Sequence, residues 1–276
     1  MYAAGIVLYN PEIQRLRENI TAIINQVDFL VLVDNASQNV KDVELCWGKN
    51  KKVQILKNNS NKGIAVALNQ IMEQCKKKGA EWVLTLDQDS VCPDKLVYDF
   101  AKKTLLANVG IVCPIIKDRN DKYKKKINIP EEEVNQCITS GSFISIKVWE
   151  KVGRFDEKMF IDMVDFEFCA RVRLNGYRII RINSVILLHE CGKLKVVKIG
   201  PREIQITNHS PLRCYYYAKN IVYCQRKLPE AFSKKWRNKF LFEKVIKVLV
   251  FEKQKVKKLI EIVRGIKKGR TEKIEA

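Results

Sequence analysis

Residues 82–90, Trp-Val-Leu-Thr-Leu-Asp-Gln-Asp-Ser, decide the fold. The apolar run at their start is short and rich in strand-favouring residues, which predicts a buried strand. Asp87 and Asp89 follow this strand directly, and ligands of an open parallel sheet bind outside the carboxyl ends of its strands. Two carboxylates there can hold a hard divalent cation whose other ligands are substrate phosphates. Asp and Ser also end strands as ordinary turn residues, so the pair alone leaves a simple turn as an equal alternative.

Strand and helix patterns alternate on both sides of this stretch. Further strands are predicted at residues 3–9, 29–33, 53–56, 110–114, 138–146 and 178–188, and helices at 11–26, 64–77, 148–152 and from 160 to about 175. The alternation favours right-handed crossovers and an α/β fold with a Rossmann-like, mostly parallel sheet flanked by helices. Polar or acidic residues end the first, second and fourth strands, on what should be one edge of the sheet. The charged stretch 117–128 is predicted to be an exposed loop.

The composition limits the class of protein. The chain has 276 residues, of which 46% are hydrophobic, enough for one sizeable core and an appendage. No leader peptide and no membrane-spanning run is predicted. The nine cysteines are scattered without a Cys-x-x-Cys pair, which favours reduced thiols in a cytosolic protein over a disulfide framework or a zinc site.

The positive charge is concentrated in the tail. The whole chain carries +20, and residues 231–270 hold 14 Lys and Arg and three Glu, a net charge of +11. Phe242, Leu249, Val256 and Val263 recur every seven residues, which predicts a basic amphipathic helix or helix pair. Such a segment suits an anionic membrane surface; docking on the catalytic domain or on another chain, as in a homo-oligomer, is the alternative. Binding to nucleic acid is disfavoured because the acids at the sheet edge would repel a polyanion.

A loop at residues 58–63 suggests a nucleotide at the same edge. It ends in Asn61-Lys62-Gly63 immediately before a predicted helix, and so offers backbone N–H groups and a cation to phosphates. It matches neither a Walker loop nor a GxGxxG turn, so the P-loop and dinucleotide-binding classes lose their main support.

Taken in order, these motifs resemble family 2 glycosyltransferases of the GT-A fold. The resemblance covers residues 3 to about 220 and is carried by residues 8–11, 33–37, 61–69, 86–90, 160–171 and His189. Leu-Asp-Gln-Asp-Ser at 86–90 and the segment 210–220 most resemble bacterial rhamnosyltransferases. The resemblance implies a catalytic domain at 1–228, with a nucleotide-sugar half to about 110 and an acceptor half to about 228. Residues 229–276 would form a basic amphipathic helical extension.

The resemblance also implies roles for individual residues of the donor site. Tyr9 and Asp34 would hold the pyrimidine base, with Asp34 accepting from its ring N–H. Lys62, Gly63 and Asn69 would lie near the nucleotide. Asp87 would approach the ribose and the metal. Asp89 would bind Mg²⁺ or Mn²⁺, with His189 as a further ligand.

The implied general base is Asp165. Val164 stands where relatives commonly have a second acid, so Asp162 stays open as an alternative. The implied reaction is inverting, metal-dependent transfer of a sugar, with dTDP-rhamnose as the expected donor, to a lipid-linked surface glycan. The expected location is cytoplasmic, peripheral on the inner face of the membrane. A UDP-hexose donor (galactose, galactofuranose, glucose or GlcNAc) is the alternative, and a nucleotidyltransferase is a more distant one.

Overall fold

The computed structural model describes residues 1–118, 129–190, 195–199 and 202–274. Contacts divide the chain into two compact units, Met1–Lys158 with Val164–Glu190, and Met159–Met163 with Cys191–Ala276. The predicted domain end at residue 228 stays a prediction. Within the described residues, none of the helices is both long and apolar enough to cross a bilayer.

The first unit is built around one sheet, and helices connect most of its successive strands in the sequence. Its elements are β1 (Tyr2–Leu8), α1 (Ile13–Ile23), β2 (Phe29–Asp34), α2 (Val40–Trp47), β3 (Val53–Lys57), α3 (Ile64–Lys77), β4 (Trp82–Asp87), α4 (Leu96–Ala101), β5 (Val109–Asp118), β6 (Glu131–Glu133), β7 (Ser142–Ser145), α5 (Ile146–Lys151), α6 (Val164–Leu174) and β8 (Arg178–His189). The eight strands lie in the order β3-β2-β1-β4-β7-β5-β8-β6. The predicted mixed α/β fold is confirmed.

The register of the strands brings their polar ends to one edge. Strands β3, β2, β1 and β4 are parallel, and Leu8 pairs with Asp34 while Val7 pairs with Asp87. β7 is antiparallel to both β4 and β5, so β5 runs in the direction of β4, and β8 is parallel to β5. His189, at the end of β8, therefore lies at the same edge as Asp34 and Asp87.

The core of this unit forms as the apolar pattern predicts. Buried residues of β1, β2 and β4 pack with α1 and with the helix α4. Helix α3 approaches β1 so closely that a Cβ at Gly5 would overlap the side chain of Ile71. The strand interior therefore needs glycine at this one position.

The structure differs from the predicted elements in several places. Helices α2 and α4 are short and were not predicted. The predicted strand 138–146 is reduced to β7, because Gly141 turns the chain with φ +84° and Ile146 already begins α5. A Cβ at Gly141 would crowd Pro114 and Leu187, so the chain approaches these two residues closely at this glycine. Of the predicted loop 117–128, residues 117 and 118 belong to β5, and 119–128 lie outside the described residues.

The described residues of the second unit form a hairpin and three helices. These are β9 (Lys195–Ile199), antiparallel to β10 (Arg202–Ile206), then α7 (Pro211–Lys227), α8 (Lys234–Phe251) and α9 (Lys255–Thr271). The hydroxyls of Ser210 and Ser233 cap α7 and α8 by accepting a backbone N–H three residues on. The predicted helix pair in the tail is thus present as α8 and α9.

The apolar positions of the seven-residue repeat are not the ones through which this helix pair packs on α7. Phe242 and Val256 are 67% and 70% exposed, and Leu249 and Val263 are exposed as well. Helix α9 instead packs on α7 through two glycines, where a Cβ at Gly265 or Gly269 would overlap backbone carbonyl oxygens of α7. Small residues allow this close approach, so the apolar side chains of the repeat are left on the outer surface.

Candidate active site

The edge formed by β1, β2, β4 and β8 carries most of the predicted site residues. Tyr9 follows β1 and is half exposed, and its backbone N–H donates to Gln88 Oε1 at 2.9 Å. Gln88 Nε2 donates back to the carbonyl oxygen of Tyr9 at 3.4 Å. Gln88, between the two aspartates, therefore links the backbone of Tyr9 to the end of β4 by hydrogen bonds.

Asp34 ends β2 and has one carboxylate oxygen without a protein partner. Its side chain is only 1% exposed, and its Oδ2 accepts from the backbone N–H of Ser37 at 3.0 Å. Its Oδ1 is buried and has no hydrogen-bond partner within the described residues. Because a buried carboxylate oxygen is costly when it lacks a partner, this atom is suited to accept a hydrogen bond from a ligand.

The loop at Lys62 and Gly63 is held beside β2. Asn35 Nδ2 donates to the carbonyl oxygen of Gly63 at 3.1 Å, and Asn35 Oδ1 accepts from Asn58 Nδ2 at 2.9 Å. Gly63 has φ +86°, a conformation that favours glycine, and α3 begins at the next residue. The exposed Lys62 and the first N–H groups of α3 are therefore available to an anion.

Asn69 is placed apart from the other predicted donor residues. Its Nδ2 donates to the carbonyl oxygen of Phe155 and to Glu157 Oε1, both at 2.9 Å. Its Oδ1 accepts from Trp149 Nε1 at 3.1 Å and from the backbone N–H of Phe155 at 3.0 Å. The amide group is buried and fully used by the protein. We therefore assign Asn69 a structural role, in correction of the predicted contact with the nucleotide.

Asp87, Asp89 and His189 meet at the centre of the edge. His189 Nδ1 lies 3.2 Å from Asp89 Oδ1, and His189 Nε2 lies 3.7 Å from Asp87 Oδ2. Burial lowers the pKa of His189, but the hydrogen bond with Asp89 and the nearby carboxylate charges outweigh it, so the pKa is raised above its ordinary value. Asp118, the register partner of His189, is one of these charges and was not predicted.

Two buried serines orient this group and were also not assigned from the sequence. Ser90 Oγ lies 3.1 Å from His189 Nδ1 and 2.6 Å from Ser140 Oγ. Ser140 Oγ in turn accepts from the backbone N–H of Asp87 at 3.2 Å. Ser90 belongs to the stretch at 82–90, so its position was visible in the sequence, but only the fold shows its contact with a residue 99 positions away.

The side chains at this edge are of a chemical type that can ligate a hard divalent cation. Carboxylate oxygens and an imidazole nitrogen are ordinary ligands of Mn²⁺, and carboxylates are ordinary ligands of Mg²⁺. In the part of the chain that the structure describes, however, no group of three His, Cys, Asp or Glu side chains is arranged to hold a metal ion by itself. The imidazole is instead engaged with the two carboxylates and Ser90. These residues therefore fit a cation that brings further oxygen ligands with it.

Asp165 lies in the first turn of α6 and is half-buried. Burial raises the pKa of its carboxyl to about 7, and the charges of Cys137 and Asp87 act in the same direction. The backbone N–H of Phe166 donates to Asp165 Oδ1 at 2.9 Å and opposes part of this effect. A carboxylate with this pKa can both accept and release a proton near neutral pH.

An ion pair between Glu167 and Arg171 supports the same helix. Glu167 is fully buried and accepts two hydrogen bonds of 2.7 Å from the guanidinium of Arg171. Arg171 also donates to the carbonyl oxygen of Arg154 at 2.6 Å. The guanidinium therefore joins α6 to the preceding loop.

Asp162, the alternative base, belongs to the second unit. Its carboxylate accepts from Arg213 Nη2 at 2.9 Å and from Arg213 Nε at 3.1 Å. It precedes α6, which begins at Val164, and both Asp162 and Met163 have positive φ. The guanidinium of Arg213 thus already engages the carboxylate of Asp162, which leaves that carboxylate less available to a substrate than the carboxylate of Asp165.

Comparison with known proteins identifies the family. The profile of Glycosyl transferase family 2 matches residues 4–169. The dTDP-rhamnosyl transferase RfbF of Shigella flexneri is 31% identical over 245 residues, which cover 81% of this chain and 79% of that protein. The family match and the relative confirm the resemblance stated from the sequence motifs.

Solved structures support the fold independently. S. aureus TarS 1–349 in complex with UDP-GlcNAc superposes with a TM-score of 0.60 at 14% identity, covering 96% of this chain and 79% of that one. GalNAc-T7 with UDP, GalNAc and Mn²⁺ superposes with a TM-score of 0.59 at 14% identity, over 82% of this chain but only 48% of that one. These likenesses confirm a GT-A-like fold. The chain belongs to glycosyl transferase family 2 and is a nucleotide-sugar glycosyltransferase of the rhamnosyltransferase-like type.

Proposed function

We propose that this glycosyltransferase moves L-rhamnose from dTDP-rhamnose to a lipid-linked surface glycan, with inversion at the anomeric carbon. The observation that carries the proposal is the 31% identity to a dTDP-rhamnosyl transferase over 81% of the chain. The edge of the sheet supports the proposal, because the carboxylates of Asp87 and Asp89 and the carboxyl of Asp165, with its raised pKa, are all in the first unit.

The donor nucleotide would bind along β1 and β2. The partnerless Asp34 Oδ1 would accept a hydrogen bond from the ring N–H of thymine, and Tyr9 would lie against the base. Lys62 and the N–H groups that follow Gly63 would face the diphosphate, which a cation and a helix N-terminus both stabilise.

A divalent cation, Mg²⁺ or Mn²⁺, would be held by Asp89 and His189, with Asp87 between it and the ribose. When bound, such an ion neutralises charge on the departing nucleoside diphosphate. Oxygen atoms of the diphosphate would complete the ligand set that the protein alone does not provide. Ser90 and Ser140 would hold the imidazole and the end of β4 in place for this contact.

Asp165 would act as the general base. In its ionised form it would accept the proton of the acceptor hydroxyl as that oxygen attacks the anomeric carbon, while the bond to the diphosphate breaks. Its pKa of about 7 favours this role, because a base works best when its pKa lies near the working pH. The ion pair between Asp162 and Arg213 argues for a structural role of Asp162.

The tail would hold the enzyme on an anionic membrane surface, the inner face of the cell membrane, where a lipid-linked acceptor is found. Seven large apolar side chains of α8 and α9 are exposed: Phe242, Ile246, Leu249, Val250, Val256, Ile260 and Val263. They stand among the basic residues that give 231–270 its net charge of +11. Each basic residue near an anionic leaflet contributes about 1 kcal/mol, and exposed apolar side chains add to this when they enter the interface.

The donor is tested by calorimetric titration of the full chain with dTDP-rhamnose, dTDP, UDP-GlcNAc and UDP-galactose, each with Mn²⁺ or with EDTA. We expect tight binding of the two dTDP ligands, lost in EDTA. Asp34→Asn should weaken binding by about tenfold to a hundredfold, since a hydrogen bond to a charged group contributes about 1.5–3 kcal/mol. Asp28→Asn, at the opposite end of β2, is the control. Binding of a UDP-hexose in preference to dTDP-rhamnose would replace the proposed donor with the alternative.

The membrane contact is best tested by substitution rather than truncation. Removing the tail would uncover the face of α7 against which α9 packs, so a truncated chain could lose its fold. The double variant Phe242→Ser, Val256→Ser changes only exposed positions, and we expect it to bind anionic liposomes at least about tenfold more weakly. Leu105→Ser, 89% exposed in the first unit, is the matched control. If binding is unchanged but a dimer is lost in light scattering, the tail is a contact between copies of the chain.

A further inference from the structure

Three cysteines that are far apart in the sequence, Cys113, Cys137 and Cys169, lie in contact with one another near the proposed base. Cys137 Sγ lies 3.7 Å from Cys169 Sγ, and Cys113 forms a further hydrogen bond with Cys137. Cys169 is in α6, four residues after Asp165 and therefore on the same side of that helix. The proposed transfer reaction uses none of these thiols.

Cys137 has the features of an attacking thiol. It is partly exposed in the irregular segment between β6 and β7, whereas Cys113 and Cys169 are each 2% exposed. Hydrogen bonds with Cys113, and next with Cys169, outweigh burial and lower the pKa of the Cys137 thiol well below its ordinary value. A contact of 3.2 Å with Ser142 Oγ acts in the same direction. The thiolate is the nucleophilic form of cysteine, so this position favours reaction with an oxidant.

Cys169 has the features of the resolving thiol. Its Sγ is within 3.7 Å of both the sulfur and the carbonyl oxygen of Cys137, so it needs no long movement to reach the Cys137 sulfur. A disulfide requires about 2.05 Å between the sulfurs, so they must approach by about 1.7 Å. Cys137 is outside any helix or strand, and the segment that carries it can supply this movement.

We propose that Cys137 and Cys169 form a reversible intramolecular disulfide on exposure to a low-molecular-weight disulfide, and that this bond lowers turnover. The Cys137 thiolate attacks one sulfur of the oxidant, which forms a mixed disulfide and releases one thiolate. Cys169 then loses its proton and attacks the Cys137 sulfur, which releases the second thiolate. The two protein thiols are oxidised and the small disulfide is reduced to two thiols.

The loss of turnover follows from the position of Cys169 and rests on the proposed role of Asp165. A bond that pulls on α6 one turn beyond Asp165 shifts its carboxylate relative to the acceptor hydroxyl. A misplacement of about 1 Å can reduce a rate by about a hundredfold, so we expect a loss of at least about tenfold. Donor binding should be retained, since Asp34, Lys62 and Gly63 are on other elements.

The test uses the reduced full chain, incubated with oxidised glutathione, alkylated and digested without reductant. We expect a peptide pair joined through Cys137 and Cys169, lighter by two hydrogen atoms, and recovery of turnover with dithiothreitol. Cys169→Ser should stop the reaction at a glutathione adduct on Cys137. Cys113→Ser and Cys75→Ser, the latter buried in α3, should still form the cross-link.

Other outcomes overturn the proposal. A cross-link between Cys137 and Cys113, or complete oxidation elsewhere with this pair unchanged, would show that the pairing is wrong. A fully cross-linked enzyme with unchanged turnover would refute the effect on the reaction. The cross-link is detected by mass and does not require an active enzyme. If neither the reduced nor the oxidised enzyme transfers rhamnose, the mass measurement still tests the disulfide. The absence of transfer would then count against the proposed function.

Discussion

Replacing Asp165 by Asn should reduce turnover by about a hundredfold or more and at the same time stabilise the fold. The carboxyl group has an ordinary pKa of 3.8 and a pKa of about 7 in the folded protein, mainly because it is buried. Folding therefore favours the protonated form of the Asp165 carboxyl. Above pH 7 the group is ionised in the folded protein, and its burial then lowers the free energy of unfolding. Each pKa unit corresponds to about 1.4 kcal/mol, so three units set an upper limit of about 4 kcal/mol. Because the group is only half-buried, we expect a gain of about 1–3 kcal/mol for the neutral amide.

The pH dependence follows from the sign of this shift. Below about pH 4 the carboxyl is protonated in both folded and unfolded chains, so the wild type and Asp165→Asn should have similar stability. As the pH rises from 4 to 7, the unfolded wild type loses its proton first, and the wild type becomes progressively less stable than the variant. The difference is complete above pH 7. Turnover of the wild type should rise over the upper part of this range, about tenfold per pH unit well below pH 7, as the base ionises.

The assay combines urea unfolding at pH 5 and pH 8 with release of nucleoside diphosphate at pH 8. We expect Asp165→Asn to reduce the turnover rate by about a hundredfold or more and to leave the donor affinity unchanged. Asp162→Asn is the control, and it should be less stable at both pH values because it leaves Arg213 without its carboxylate partner. Equal stability of Asp165→Asn and the wild type at pH 8 would refute the burial argument. Loss of turnover only in Asp162→Asn would show that the base is misassigned.

Three further predictions follow from the geometry. Asp89→Ala should lose the part of donor binding that depends on Mn²⁺, measured by calorimetry with and without EDTA; undiminished metal dependence would contradict the proposed ligand. Asn69→Ala should lower the free energy of unfolding by about 2–4 kcal/mol, because it leaves buried partners without hydrogen bonds, while the folded fraction keeps its donor affinity. Gly265→Ala should displace α9 from α7 and cost about 1–3 kcal/mol in urea unfolding, whereas Val263→Ala, exposed on the same helix, should cost less than about 0.5 kcal/mol.

The edge of the sheet could be predicted from the sequence because the strands are parallel. A buried apolar run that ends in Asp34 or Asp87 identifies both the strand and the end at which ligands bind. The register of β1 with β2 and β4 then brings these two residues opposite adjacent positions of β1, Leu8 and Val7. His189 joined them for the same reason, since it ends another strand that runs in this direction.

Residues whose roles depend on distant partners could not be predicted in this way. Asn69 matches a family position, but Trp149, Phe155 and Glu157, all at least 80 residues further on, use its whole amide group. The contacts of Ser90 with His189 and of Cys137 with Cys169 likewise join separate elements. No local pattern records these pairs.

The tail shows that one apolar repeat does not identify every contact surface of a helix. The seven-residue repeat correctly predicted helices, and its apolar positions are exposed, as a membrane-facing surface requires. Gly265 and Gly269 make the interface with α7, because the two backbones approach where side chains are absent. Two glycines spaced by four residues on a helix indicate a close contact with another helix, and this spacing is visible in the sequence.

The most direct test of the proposed function is the structure of the reaction product. The purified full chain would be incubated with dTDP-rhamnose, Mn²⁺ and a lipid-linked acceptor fraction, and the product examined by mass spectrometry and NMR. The proposal predicts release of dTDP, one added deoxyhexose, and an anomeric configuration opposite to that of the donor. Retention of configuration, or transfer from a UDP-hexose with none from dTDP-rhamnose, would contradict it.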